Sequence, residues 1–168
     1  MPPGEIAHTI VLLGKPYDNQ RISQASSAVA AYLNHLDPWV RHEVLWFLGS
    51  WGELQEYLPQ VRLAMEHDAD ADNRQYAAVC IGRMKLHTSD PSVLGALGRV
   101  VENGSEEDHV RVSAYFAMLR VSGRERECPL SDQTAFDMGM KSLQDINFAW
   151  VTSVLSSLVR VAPPSPSA

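Results

Sequence analysis

The residue pairs most able to do chemistry in this chain are few. His42-Glu43 places a base beside an acid on neighbouring positions. Two acidic runs follow: Glu66-His67-Asp68-Ala69-Asp70-Ala71-Asp72, and Ser105-Glu106-Glu107-Asp108. The first is not an EF-hand loop, because it lacks glycine at the sixth position and glutamate at the twelfth. The histidines at 8, 35, 42, 67, 87 and 109 form no HExxH pair and no metal-ligand spacing. His67 and His109 sit in or beside the acidic runs, where neighbouring carboxylates would favour a proton or hold a cation weakly. Cys80 falls in an apolar helical stripe and Cys128 in a loop before Pro129, so neither has a base set up to activate it. Their separation fits no zinc quartet or disulfide framework. No glycine-rich phosphate loop is present, and Gly95 and Gly98 read as close-packing positions inside a helix. Three tryptophans, Trp39, Trp46 and Trp51, lie within thirteen residues. Exposed tryptophans anchor interfaces, and buried ones seal the end of a small core.

These residues must be positioned by helices. Ile22, Ala25, Val29, Tyr32, Leu33 and Leu36 recur at spacings of three and four, one stripe of an amphipathic helix over 20–36. Asp37-Pro38 starts another, with Asp as N-cap and Pro where a missing amide costs nothing, and Gly49 as its C-cap. Further helices are expected over 53–66, 72–84, 90–102, 108–121, 131–143 and 147–160. A short helix over 5–13 ends at Gly14. No alternating strand pattern is present. Residues 1–161 are expected to form a single domain, and 162–168 a disordered Pro/Ser tail.

The chain repeats itself. Asp37-Pro-Trp-Val-Arg41-His-Glu-Val44-Leu45-Trp-Phe-Leu48-Gly49 aligns with Asp70-Ala-Asp-Asn-Arg74-Gln-Tyr-Ala77-Ala78-Val-Cys-Ile81-Gly82. Both align with Glu107-Asp-His-Val-Arg111-Val-Ser-Ala114-Tyr115-Phe-Ala-Met118-Leu119. An acid stands four before each arginine, and small or apolar residues stand three, four and seven after it. A degenerate fourth copy starts at Asp145, with Phe148 in the arginine's place. An arginine one turn into its helix reaches the acid of its own or the next repeat, and such helix pairs must stack to bury their apolar faces.

The pattern D-x-x-V-R-x-x-A-x-x-x-L-G resembles the second helix of HEAT and HEAT-like repeats, relatives of the armadillo repeat, over about residues 20–160. That resemblance implies an all-α fold: a right-handed α-solenoid (superhelix) of about four stacked antiparallel helix pairs. Second helices would line a concave face, with a scaffold or protein-binding role. His42-Glu43 is also similar to the His-Glu pairs of deoxyhypusine hydroxylase, a HEAT-like di-iron enzyme. The matching positions here are Gln75-Tyr76 and Val112-Ser113, too few ligands for an iron pair. HEAT-like repeats also occur in phycobilin lyases and in DNA glycosylases.

Charge narrows the function classes. The 14 basic and 20 acidic residues give a net charge of -6. All of that excess lies in residues 51–110, and it argues against duplex binding, including the glycosylase reading. The opening residues lack a basic leader, and the apolar run Thr9–Leu13 is too short to span a membrane. A cytoplasmic location is expected, with no cofactor and no nucleic-acid or membrane partner. Stacked turns would join the two acidic runs into one ridge. Asp68, Asp70, Asp72, Glu106, Glu107 and Asp108, with Trp39 and Trp46, are the residues expected to bind one protein partner of basic surface. Among such modules, a small acidic chain resembles bacterial immunity proteins that neutralise a toxin domain. The alternative is an enzyme or ligand-binding protein on the same scaffold, similar to a bilin lyase or a metal-dependent hydroxylase.

Overall fold

The computed structural model describes residues 1–15, 18–127 and 143–161. Every regular element among them is helical. In chain order these are α1 (Pro3–Gly14), α2 (Asn19–Ala30), α3 (Pro38–Leu45), α4 (Leu58–His67), α5 (Ala71–Met84), α6 (Pro91–Glu102), α7 (Asp108–Val121) and α8 (Phe148–Val161). The expected helix over 131–143, Cys128 and the 162–168 tail lie outside the described residues.

The starts follow the capping chemistry. Asp18, Asp37, Asp70 and Asp90 each accept backbone N–H groups of the first turn through a side-chain oxygen. Pro38 and Pro91 occupy the opening positions, where no amide is needed. Asn147 accepts the Trp150 N–H at 3.0 Å ahead of α8. Glu107 precedes α7 without a side-chain cap, and its backbone N–H donates to the Glu106 carboxylate at 2.8 Å.

Three boundaries differ from the expectation. The stripe over 20–36 stops being helical at Ala30, and Tyr32 and Leu36 are exposed. The chain continues there in tight turns, with Tyr32, Leu33 and His35 each bonding the carbonyl three residues back, and Arg41 Nη1 then holds the His35 and Leu36 carbonyls at 2.8 and 3.1 Å. The segment expected to start at Glu53 is a 3-10 turn over Gln55–Tyr57, and the α-helix begins at Leu58, with Pro59 in its first turn. Gly49 does not end α3. The chain continues through it as a π-helical stretch, Trp46–Trp51, closed by the Gly52 N–H bonding the Phe47 carbonyl five residues back at 3.1 Å. Gly49 is buried against Cys80 of α5, and a Cβ there would collide with the Cys80 side chain. Its role is close approach.

Two groups of buried side chains form the core. Ile6, Ile10, Ile22, Val29, Val40, Val44, Phe47 and Leu48 join α1, α2 and α3. Leu45 at the end of α3 joins Val61, Met65, Ile81, Leu97, Val101, Met118 and Val151 in the larger group, which runs on to α8. Leu33 packs against both. Each fully buried aliphatic or aromatic side chain contributes about 1.5–3 kcal/mol before ordering costs. Along the chain, α1 packs on α2 and α3, α3 on α5, α5 on α4 and α7, and α6 on α7 and α8.

Gly49→Ala should therefore lower stability by about 1–3 kcal/mol, the usual effect of overpacking, although alanine is the better helix former. Urea unfolding measures this. An unchanged or raised midpoint would show that α3 and α5 are not in this contact.

Candidate functional site

The aligned arginines join one repeat to the next. Arg41, in α3, donates from Nε and Nη2 to both carboxylate oxygens of Asp68 at 2.8 and 2.7 Å. Arg74, in α5, does the same to Glu106 at 2.9 and 2.8 Å. Its Nη1 donates to the Asp68 carbonyl at 2.7 Å, so one guanidinium ties the α4–α5 turn to the α6–α7 turn. These are planar, two-pronged pairs, the geometry in which arginine binds carboxylate most strongly. Arg111 differs: it donates to the Val101 carbonyl at 3.0 Å and lies over the Phe148 ring, 5.6 Å from its centroid.

The expected acidic residues thus divide into two sets. The two runs do meet, but Asp68 and Glu106 hold the fold together at that junction. Their side chains are 5% and 11% exposed. Charge reversal at either would break its arginine pair, so the ridge is not made wholly of surface acids. Asp70 caps α5. Asp72, Glu107 and Asp108 face solvent, Asp72 with a side chain 75% exposed. The Nε2 of His109 lies 3.4 Å from Asp72, not aligned as a hydrogen bond.

Beside that edge the structure forms a groove of about 300 Å³. Its walls include Trp39 and Pro38 from the start of α3, and Asp70, Asp72 and Tyr76 from α5. Asn73, which is buried, fixes its floor by donating to the Pro38 carbonyl at 3.0 Å. Trp39 is 54% exposed, and its Nε1 donates to Glu43 at 3.1 Å. Three of the expected contact residues, Trp39, Asp70 and Asp72, therefore share one groove. Trp46 is half-buried and points elsewhere.

His42 divides this groove from a second, larger cleft of about 590 Å³. Its ring meets Tyr76 edge-on, with centroids 4.0 Å apart. Burial pushes the imidazole pKa down, against the pull of Asp72 and Asp70. Burial also pushes the Glu43 carboxyl up, against the Trp39 hydrogen bond and Lys15. Lys15, Trp46, Ser50, Trp51 and Arg83 complete the cleft. The Trp46 and Trp51 rings stack at 28°, 6.5 Å apart, and Trp51 lies flat on Gly14. Lys15, Ser50 and Arg83 carry no sequence signal, because they come from three segments that only packing brings together.

His42-Glu43 gains no partner of the kind a metal needs. Among the described residues, no three His, Cys, Asp or Glu side chains are grouped to hold an ion. Cys80 is buried, its Sγ donating to the Leu45 carbonyl at 3.3 Å, and burial pushes its thiol up to about 12. That is the inert thiol expected from its place in an apolar stripe. No described helix is long and apolar enough to cross a membrane.

The two arginine–carboxylate pairs set an acid dependence of stability. Burial alone would raise the Asp68 and Glu106 carboxyls. Hydrogen bonds from Arg41 and Arg74, backbone N–H groups and the guanidinium charges outweigh it and hold both below their ordinary values of 3.8 and 4.5. A carboxyl with a depressed folded pKa contributes its full stabilisation above the ordinary value, and loses it as pH falls through the folded value. The contribution of these two pairs should therefore be level above about pH 4.5 and decline in more acidic solution. Arg41→Ala and Arg74→Ala should each cost about 2–3 kcal/mol near neutrality, between exposed and fully buried pairs. Each should also flatten the acid limb in urea titrations. Comparisons with protein-family models, curated proteins and solved structures give no match to this chain.

Proposed function

We propose that the chain is a protein-binding module that presents its acidic edge to one partner of basic surface. α2 with the Trp46–Trp51 continuation of α3, and the pairs α4–α5 and α6–α7, belong in this proposal to a right-handed α-solenoid of HEAT-like type. The row of contacts from α3 to α5 to α7, and the arginine that joins one turn to the next, support that arrangement.

The observation that carries the proposal is the Trp39 groove. An aromatic ring half open to solvent stands beside Asp70 and Asp72, over a floor fixed by Asn73. A lysine or arginine side chain from a partner fits such a place. Its stem packs on the indole and its charge meets the carboxylates. Glu107 and Asp108, one repeat further on, extend the negative field along the same edge. Complementary charge of this kind raises the association rate and makes it salt-dependent. An immunity protein that captures a basic toxin domain is the form of this proposal in which speed of capture matters most. An enzyme or small-molecule carrier is the second reading, supported by the cleft on the other side of His42.

The test is a pull-down from the source cell with wild-type chain and two variants, followed by affinity measurement on the captured partner. Trp39→Ala should weaken a basic partner about tenfold or more. The triple reversal Asp72→Lys, Glu107→Lys, Asp108→Lys should slow association and abolish its salt dependence. Neither should shift the urea midpoint much, since none of these side chains is buried. A partner bound equally well by both variants would remove the groove from the interface. A basic toxin domain whose toxicity co-expression fails to block would remove the immunity form.

A further inference from the structure

We infer that the cleft between α1, α3 and α5 is a binding site for a small planar organic anion, with a carboxylate as its polar end. The inference does not rest on the protein-binding proposal, which concerns the other side of His42.

Two side chains in the cleft hold buried donors that the described residues leave without an acceptor. A serine inside a helix can return its hydroxyl to a carbonyl one turn back. Ser26 bonds the Ser23 carbonyl at 2.8 Å, Ser157 the Val154 carbonyl at 2.6 Å, and Ser122 the Met118 carbonyl. Ser50 is 6% exposed, and its Oγ has no hydrogen-bond partner among the described residues. Arginines behave in parallel. Arg41, Arg62, Arg74 and Arg111 each commit Nε to an acceptor, whereas the buried Nε of Arg83 has none. A buried donor left without an acceptor is costly, so native proteins keep few of them, and those kept need a reason. Both residues line one cleft, and both of these donors lack an acceptor.

The surroundings specify the rest of the ligand. Lys15 adds a second cation at the cleft wall. Glu43, the opposing acid, already has Oε1 occupied by the Trp39 indole. Trp46 and Trp51 offer stacked faces, and the Arg83 guanidinium lies 5.8 Å from the Trp46 centroid. An anion with an aromatic body lies against these rings while its carboxylate meets Ser50, Arg83 and Lys15. The cleft of about 590 Å³ is within the size range of small-molecule sites. The π-helical stretch Trp46–Trp51 places both rings and Ser50 on this wall. Such stretches persist where a function repays the poorer backbone geometry.

The experiment titrates purified full chain with 2-naphthoate, its neutral analogue 2-naphthamide, and inorganic phosphate. Isothermal calorimetry gives affinity, and the indole N–H signals of Trp46 and Trp51 in NMR spectra give location. Naphthoate should bind saturably and shift both indole signals. Naphthamide should bind about tenfold more weakly or worse, having lost the charge-assisted bonds. Phosphate, with no planar body, should be weaker than naphthoate. Arg83→Gln and Ser50→Ala should each weaken naphthoate by about tenfold or less. Ser50→Ala should leave the melting temperature level or raised, because its hydroxyl makes no bond within the fold. That keeps the test decisive if Arg83→Gln folds poorly. No saturable naphthoate binding, equal binding of the amide, or unchanged affinity in Ser50→Ala would overturn the inference.

Discussion

The staple from one repeat's arginine to the next repeat's acid is the interaction that the rest of the structure depends on. A helix pair of this length cannot bury its apolar face alone, so each pair must be held in register with its neighbour. Apolar packing supplies the energy but little direction. Arg41 and Arg74 supply direction, because a planar fork closes on a carboxylate in one geometry. Each also catches carbonyls of its own preceding turn, so the loop before the helix and the loop of the next pair are set by one side chain. Both edge features, the exposed acids and the Trp39 groove, lie where these staples bring successive turns together.

That arrangement changes the meaning of the acidic excess. With a net charge of -6 concentrated in residues 51–110, the two acidic runs read in the sequence as one ridge for docking a basic partner. In three dimensions its acids do different work. Asp68 and Glu106 are neutralised by guanidinium groups. Asp70 is tied to a helix N-terminus, where a negative charge is favoured. Of the two acidic runs, the charge most open to a partner is at Asp72, Glu107 and Asp108, with Asp70 at the groove. Fewer acids, placed beside an aromatic ring, make a more specific surface than a continuous run.

The legible part of this molecule was the part governed by local rules. The caps at Asp37, Asp70 and Asp90, and the prolines that follow two of them, marked helix starts because they act within one turn. The repeat alignment paired each arginine with an acid of the same or next copy; for Arg41 and Arg74 the structure selects the next, and Arg111 bonds the Val101 carbonyl instead. Features decided between distant segments were hidden. Gly49 looked like a helix end because glycine often is one. Its contact with Cys80, thirty-one positions away, needs the packed pair α3 and α5 to exist. The Ser50–Arg83 cleft was hidden for the same reason. An orphaned donor has no signature in a sequence; it is defined by the partners that folding fails to bring.

Places where a fold breaks its own local rules are where function is to be sought, since unrepaid costs are not expected to persist. Two such places adjoin here and have opposite character. The Trp39 groove is acidic, and the cleft beyond it carries Lys15 and Arg83. His42 stands between them, seated edge-on against Tyr76. Burial holds its imidazole toward the neutral form even though Asp70 and Asp72 pull the other way. A charged ring at this position would cancel part of the groove's field and add a third cation to the cleft, blurring the two. A neutral one keeps them distinct within a few ångströms. The desolvation of one side chain thus keeps apart the acidic groove and the cleft of Lys15 and Arg83, on which the two proposals rest.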